Sequence, residues 1–162
     1  MSRRIVVSPL TAKAFAPFGD VIEVAGDPDK VINQGQCGRY HDRAQLEFSD
    51  GVAGISLFNA NPRALPYQLD MVERHPDGSQ AFIPMTHQPF LVVVAPDVGG
   101  RPGQPLAFVT TPGQAVNYHR GTWHGVLTPL HGPGLFAVVD RIGGGGNLEE
   151  FWFDTPYEVV PG

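Results

Sequence analysis

Glu73 and His75 stand two residues apart, Gln80 follows after Pro76-Asp77-Gly78, and His124 lies three residues beyond Gly121. On a strand, that first spacing places the Glu73 and His75 side chains on one face. Two hairpins would then offer imidazole nitrogens, a carboxylate oxygen and an amide oxygen. Such donors suit a borderline divalent ion such as nickel, manganese, iron or zinc. Two imidazoles and one carboxylate also leave coordination positions open for a substrate. Without an ion, the same groups can donate and accept protons. A solvent-facing Glu-x-His pair and a core histidine beside Trp123 would use these residue types with no chemistry at all. The functional reading therefore requires that separate hairpins converge on one site inside a small β-barrel.

The elements that must position these groups are short. Twenty glycines and sixteen prolines in 162 residues leave little room for long helices. They punctuate apolar or alternating runs over 21–24, 54–58, 68–73, 80–84, 90–94, 106–110, 115–118, 123–127, 135–139 and 150–153. Strands of that length between turn signals predict an antiparallel all-β domain. Phe90-Leu91-Val92-Val93-Val94 is apolar on both faces and predicts a doubly buried central strand. One short N-terminal helix is expected over 12–18, capped by Thr11 and closed by Gly19 in a left-handed conformation. Gly99–Pro105 reads as a loop. Gly143–Gly146 reads as a flexible loop rather than a phosphate loop, because no Gly-Lys-Ser/Thr follows it. No repeat or internal boundary appears, so residues 1–162 are expected to form a single domain that closes its sheet edges as a sandwich, jelly roll or barrel.

Apolar residues make up 42% of the chain and charged residues 17%, the balance of a compact globular protein. The net charge of −5 and the scattered arginines argue against a nucleic-acid or acidic-membrane partner. No apolar run approaches the roughly 18 residues of a membrane span. Met1–Pro9 carries a basic pair with no long apolar segment behind it, so it does not read as a signal peptide. The lone Cys37 excludes an internal disulfide and a thiolate metal cage, and reads as a plain thiol. A cytoplasmic setting fits these features.

Glu73, His75 and Gln80 stand at the offsets of the two histidines and the glutamate in the first cupin motif, and Gly113, Gly121 and His124 match the second. The chain thus resembles a cupin with substitutions. Glu73 replaces a histidine, Gln80 the glutamate, His87 a closing turn glycine, His119 a proline and Thr128 an asparagine. Because an amide oxygen is a weaker ligand than a carboxylate, an ion at such a site would be loosely held. His87 is expected to carry the left-handed backbone of the glycine it replaces.

A narrower resemblance covers nearly the whole chain. Pro9-Leu10-Thr11 through Phe15, Gly19–Glu23, Ile32-Asn33-x-Gly35, Arg39-Tyr40-His41-Asp42, Glu73–Met85 and Val116–His124 match, in order, the blocks of the ureidoglycolate lyases, formerly called ureidoglycolate hydrolases. One departure stands out: the family typically reads His-His-Pro-Leu after the tryptophan, whereas His124 here precedes Gly125-Val126-Leu127. The resemblance implies a cupin-like jelly-roll barrel (a double-stranded β-helix), a homodimer, and a divalent ion, with nickel the usual assignment. It also implies the reaction, (S)-ureidoglycolate splitting into glyoxylate and urea in allantoin and purine nitrogen catabolism.

That carbinolamine cleavage needs the hydroxyl deprotonated, the departing nitrogen protonated and the carboxylate held. His75 and His124 are candidate metal ligands or the acid–base pair, and Glu73 is the third ligand or the general base. Gln80 is an oxygen ligand or an amide that orients the ureido group. Arg120 is the first candidate for the substrate carboxylate and Arg74 the second, although an ideal strand would turn Arg74 away from Glu73. Asn117, Tyr118 and His119 are candidate substrate contacts. Arg39–Asp42 forms a polar loop, either folded over a mouth or locally ion-paired. Asp140 and Arg141 end an apolar strand with no role decided. The alternatives are a non-catalytic cupin that binds a small carboxylate or ureide, and another cupin enzyme, an isomerase or dioxygenase.

Overall fold

The computed structural model describes residues 3–162; Met1 and Ser2, where part of the chain-start reading falls, lie outside it. The architecture is the expected cupin-like jelly roll. An eight-stranded sheet packs on a five-stranded one, and the only helix among the described residues is Ala12–Phe15. Thr11 caps that helix in an extended conformation, its Oγ1 accepting from Ala14 N at 3.2 Å. Gly19 does not close it. The helix ends at Ala16, and Gly19 opens the Gly19–Ile22 strand. A Cβ on Gly19 would collide with the Asn117 carbonyl oxygen, so the position requires glycine for close approach rather than for a left-handed turn.

The sheets are not wholly antiparallel. Arg3–Val6 pairs parallel to Glu149–Val160 at one edge of the large sheet, and Ser8–Pro9 pairs parallel to Leu106–Val109 at the other. Val7 N bonds Val160 O and Leu10 N bonds Val109 O, both at 3.0 Å. One short N-terminal run thus bonds both outer strands and nearly closes the sheet into a barrel, which removes its exposed edges.

Two cores follow from that closure. Phe90, Val92 and Val94 pack between the sheets with Phe82, Val116, Phe136 and Val138. Leu91, Val93 and Ala95 pack on the opposite face with Leu69, Val72, Trp123 and Val159. Phe90–Ala95 is buried at every position because alternate side chains serve alternate cores. This is the expected doubly buried strand.

The run 123–127 holds its ladder only through Trp123–His124. From His124 to Thr128 the chain takes four steps while its partner takes three, from Val94 to Leu91. The extra residue makes a β-bulge directly beside His124. His87 is not left-handed: among the described non-glycine residues only Asn33, Gln34 and Asp42 have positive φ. Gly143–Gly146 is a loop, as expected, leading into the Glu149–Val160 strand. Gly99 and Gly100 turn a two-residue ribbon, Asp97–Val98 against Arg101–Pro102.

Candidate active site

The site sits between the sheets at one end of the apolar core. On the five-stranded sheet, Gln80 is the cross-strand partner of both Tyr118 and Asp140. Two residues deeper, Phe82 faces Val116 and Val138, so a polar row rims an apolar one. On the large sheet His124 pairs with Glu73, and Glu73 with Glu150. Directly opposed residues share a face, so these side chains point together.

The Tyr67–Arg74 strand ends one residue before His75. Pro76 nevertheless favours an extended His75, since the helical region is disfavoured for a residue before proline. The Glu73 face therefore continues past the end of the ladder. Gly121 N donates to the His75 carbonyl at 3.0 Å, tying the turn of the second motif to the first.

Ligand atoms of Glu73, His75 and His124 all lie within 4.8 Å of one another. The His75 and His124 rings are 5.2 Å apart. His75 Nδ1 faces the Asn147 carbonyl at 2.8 Å, and His124 Nδ1 faces the Gly125 carbonyl at 2.9 Å. A carbonyl only accepts, so each Nδ1 carries a proton, and in the neutral His124 ring this leaves Nε2 as a lone pair. His124 is 1% exposed and its Nε2 has no hydrogen-bond partner. An orphaned buried acceptor costs about 1–3 kcal/mol, a large share of a domain's net stability. Burial and the neighbouring His75 lower the His124 pKa to about 3, so the ring stays neutral at working pH. Tyr118 lies flat on it at 4.2 Å and 4° between planes, which fixes the ring and contributes about 0.5–1.5 kcal/mol. Burial, and then the Glu73 charge, push the Tyr118 phenol up, so it remains protonated.

Burial raises the Glu73 pKa; His75 opposes this and Glu150 adds to it. A desolvated carboxylate facing a second acid, beside the His75 ring and the unpartnered His124 Nε2, fits a divalent cation. The cluster could coordinate a metal through Glu73, His75 and His124. Gln80 Oε1 lies 3.0 Å from His75 Nε2 and adds an oxygen donor at the same point.

The other predicted residues divide. Tyr118 joins the cluster. Asn117 and His119 lie instead with Asp20: Asn117 Nδ2 donates to Asp20 Oδ2 at 3.0 Å, and His119 Nε2 meets the same oxygen at 3.0 Å. Burial alone would raise Asp20, but bonds from Gln45 N, Asn117 and His119 hold its carboxyl below the usual range. Arg74 faces away, as the strand geometry anticipates. It pairs with Asp97 at 2.9 Å and Glu149 at 2.7 Å, and its guanidinium sits 4.2 Å from the Trp123 ring centre. Arg120 bonds the Pro76 carbonyl through Nε and Glu47 through Nη1, leaving its Nη2 without a hydrogen bond among the described residues.

A cavity of about 310 Å³ adjoins Glu73, bordered by Arg63, Tyr67, Asp70, Glu150 and Trp152. A larger cavity, about 530 Å³, lies elsewhere, between the 40–46 segment and the outer face of the five-stranded sheet. Within that segment Arg43 pairs with Asp29 at 2.8 Å and Tyr40 Oη donates to the Gly26 carbonyl at 2.9 Å, so Arg39–Asp42 makes local contacts.

Asn147 and Glu150 escaped the sequence reading. Asn147 follows a glycine run that reads as a featureless loop, and its part is played by a backbone carbonyl that no residue type announces. The Gly125 departure also gains a location. A Cβ there would meet Val93 at 3.2 Å and Leu69 at 3.7 Å, members of the core on the far side of the sheet. A side chain at 125 therefore points away from Glu73, His75 and His124.

Fold and site together define a cupin-like barrel with a nitrogen–oxygen cluster open to a small molecule. A family model for ureidoglycolate lyase matches residues 2–160. The chain is 58% identical over 157 residues to a ureidoglycolate lyase of Rhodobacter capsulatus, covering 96% of this chain and 98% of that one. Identity to the ureidoglycolate lyase of Chelativorans sp. is 55% over 159 residues, 97% and 96% of the two chains. The ureidoglycolate lyase of Agrobacterium fabrum shares 46% over 162 residues, 99% and 98%. The chain belongs to the ureidoglycolate lyase family.

Proposed function

We propose that the protein cleaves ureidoglycolate to glyoxylate and urea at the Glu73–His75–His124 cluster. The observation that carries the reading is the convergence of those three groups, with a buried, unpartnered His124 Nε2, in a chain that shares near-full-length identity with ureidoglycolate lyases.

The substrate carries hydroxyl, carboxylate and ureido nitrogen on one carbon. Its hydroxyl proton leaves, the carbon–oxygen double bond forms, and the carbon–nitrogen bond breaks with its electron pair going to nitrogen. That nitrogen takes up a proton and departs as urea; no water is consumed. With no ion in the cluster Glu73 takes the hydroxyl proton, its raised pKa making it a stronger base than an ordinary glutamate. Returning that proton to the departing nitrogen restores the carboxylate. Glu73, His75 and His124 would hold a divalent ion, with nickel proposed for its match to imidazole and carboxylate donors. When bound, such an ion supplies Lewis acidity, the property that brings zinc-bound water to a pKa of about 7. Gln80 presents its oxygen toward the reacting centre, and Tyr118 holds the His124 ring.

Arg120 is proposed to bind the carboxylate through its free Nη2. Arg120→Ala is expected to lower kcat/KM roughly 10- to 100-fold, mostly through KM, and Arg120→Lys to recover little of it. Arg63→Ala, in the adjoining cavity, is the comparison; a larger loss there would transfer the role.

Assembly as a homodimer, in the cytoplasm and as one cupin-like domain per chain, belongs to the same reading. The outer face of the five-stranded sheet supports it, with Ile55 76% and Leu57 66% exposed beside Ile83 and Met85. Ile55→Asp/Leu57→Asp is expected to halve the mass measured by light scattering. An unchanged mass would remove this face from the interface.

The test of the activity is direct. Racemic ureidoglycolate incubated with the protein and nickel or manganese should yield equal amounts of urea and glyoxylate, with one enantiomer consumed first. No release at micromolar protein would leave the ligand-binding cupin as the reading to pursue.

A further inference from the structure

Gln80 stands where the cupin pattern has a glutamate, yet a carboxylate is present one hydrogen bond farther out. Asp140 is the cross-strand partner of Gln80, and its Oδ2 accepts from Gln80 Nε2 at 3.1 Å. Asp140 has no ion-pair partner among the described residues. Its neighbour Arg141 projects the other way, onto the Asp50 and Gly144 carbonyls. A carboxylate accepts and never donates, so the amide must turn its NH₂ toward Asp140. Its Oε1 is then forced toward His75 Nε2, 3.0 Å away. Gln80 is 6% exposed, so water does not compete for either end of the amide. Without Asp140 the amide could flip and present NH₂, a donor that repels a cation, to the same point.

We infer that Asp140 is a positioning residue: it locks the Gln80 amide so that its oxygen faces the Glu73–His75–His124 cluster as a donor to a divalent cation. The negative charge of the cupin glutamate is thereby kept, displaced outward onto a second strand. A hydrogen bond to a charged acceptor is stronger than a neutral one and polarises the amide, increasing electron density on Oε1. This inference rests on reading the cluster as a metal-competent active site.

The test is a charge swap read by calorimetry, with Ni²⁺ and then Mn²⁺ titrated into chelator-stripped protein. Asp140→Asn preserves shape but no longer dictates which end of the amide turns inward, and is expected to weaken cation binding roughly 10- to 100-fold. Gln80→Glu alone sets two carboxylates against each other and should bind no better than the parent. Gln80→Glu combined with Asp140→Asn returns the charge to position 80 with a donor behind it. That double variant is expected to bind within a few-fold of the parent, a rescue that a merely structural Asp140 would not produce. Thermal unfolding in chelator identifies any variant that does not fold, and the double variant then carries the test.

Equal affinities in parent and Asp140→Asn, a double variant no better than Asp140→Asn, or a parent that binds neither ion would each overturn the inference. Failure of the proposed reaction reads differently: urea release would be absent while the affinity differences persisted.

Discussion

Replacing His124 with alanine is expected to reduce urea release by roughly two to four orders of magnitude, the range a positioned acid–base or ligand group supplies. The variant should also lose bound nickel or manganese. His124 is buried, neutral and locked by Tyr118 and the Gly125 carbonyl, with its Nε2 unpaired. Nothing in the fold uses that nitrogen, so its cost is explained by what it binds. The substitution also unstacks Tyr118, and the melting temperature of the chelated protein separates that packing loss from the chemical one. Near-parental turnover with the ion retained would place the chemistry elsewhere.

The second large effect concerns Glu73, where activity and stability should move in opposite directions. Glu73→Gln keeps the shape but removes the carboxylate that serves as charged ligand or as base, and turnover should again fall roughly 10²–10⁴-fold. The folded-state pKa of Glu73 is raised, chiefly by burial. Such a group favours folding fully below its unfolded pKa, and that advantage is lost as pH rises through the folded pKa. At neutral pH, then, the buried carboxylate destabilises the metal-free protein. Glu73→Gln should melt higher than the parent in chelator, and the difference should shrink as pH falls through the folded pKa. Cation binding by the parent should show an acid limb above the ordinary glutamate range, because protons compete with the ion for the raised carboxylate of the ion-free site. Glu150→Gln should move that limb downward, because Glu150 raises the Glu73 pKa. A variant that melts lower at neutral pH and stays active would contradict both halves.

The sequence made the architecture legible wherever periodicity was strong. Phe90–Ala95 declares itself by being apolar on both faces, and Gln80–Pro84 and Ala115–Tyr118 emerge with the expected ends. Motif spacing made the convergence legible too, since Glu73, His75, Gln80 and His124 lie together. Closure of the large sheet was not legible, because parallel pairing by Arg3–Val6 and Ser8–Pro9 leaves no local signature. The bulge after His124 was hidden for the same reason: register is a property of two strands. Residue type alone does not reveal that alternation along the strand sends Asn117 to the face opposite Tyr118, where it meets Asp20 together with His119. Arg74 shows the reverse, since strand alternation anticipated its turn toward Trp123. Asp140 had no decided role until its partner across the sheet was known.

Anomalous diffraction from crystals soaked in nickel tests the central claim most directly. We expect a single strong peak within about 2.0–2.2 Å of the Glu73 carboxylate and of both Nε2 atoms, His75 and His124, absent from His124→Ala crystals. A peak held by other residues, or its persistence in the alanine variant, would contradict the account.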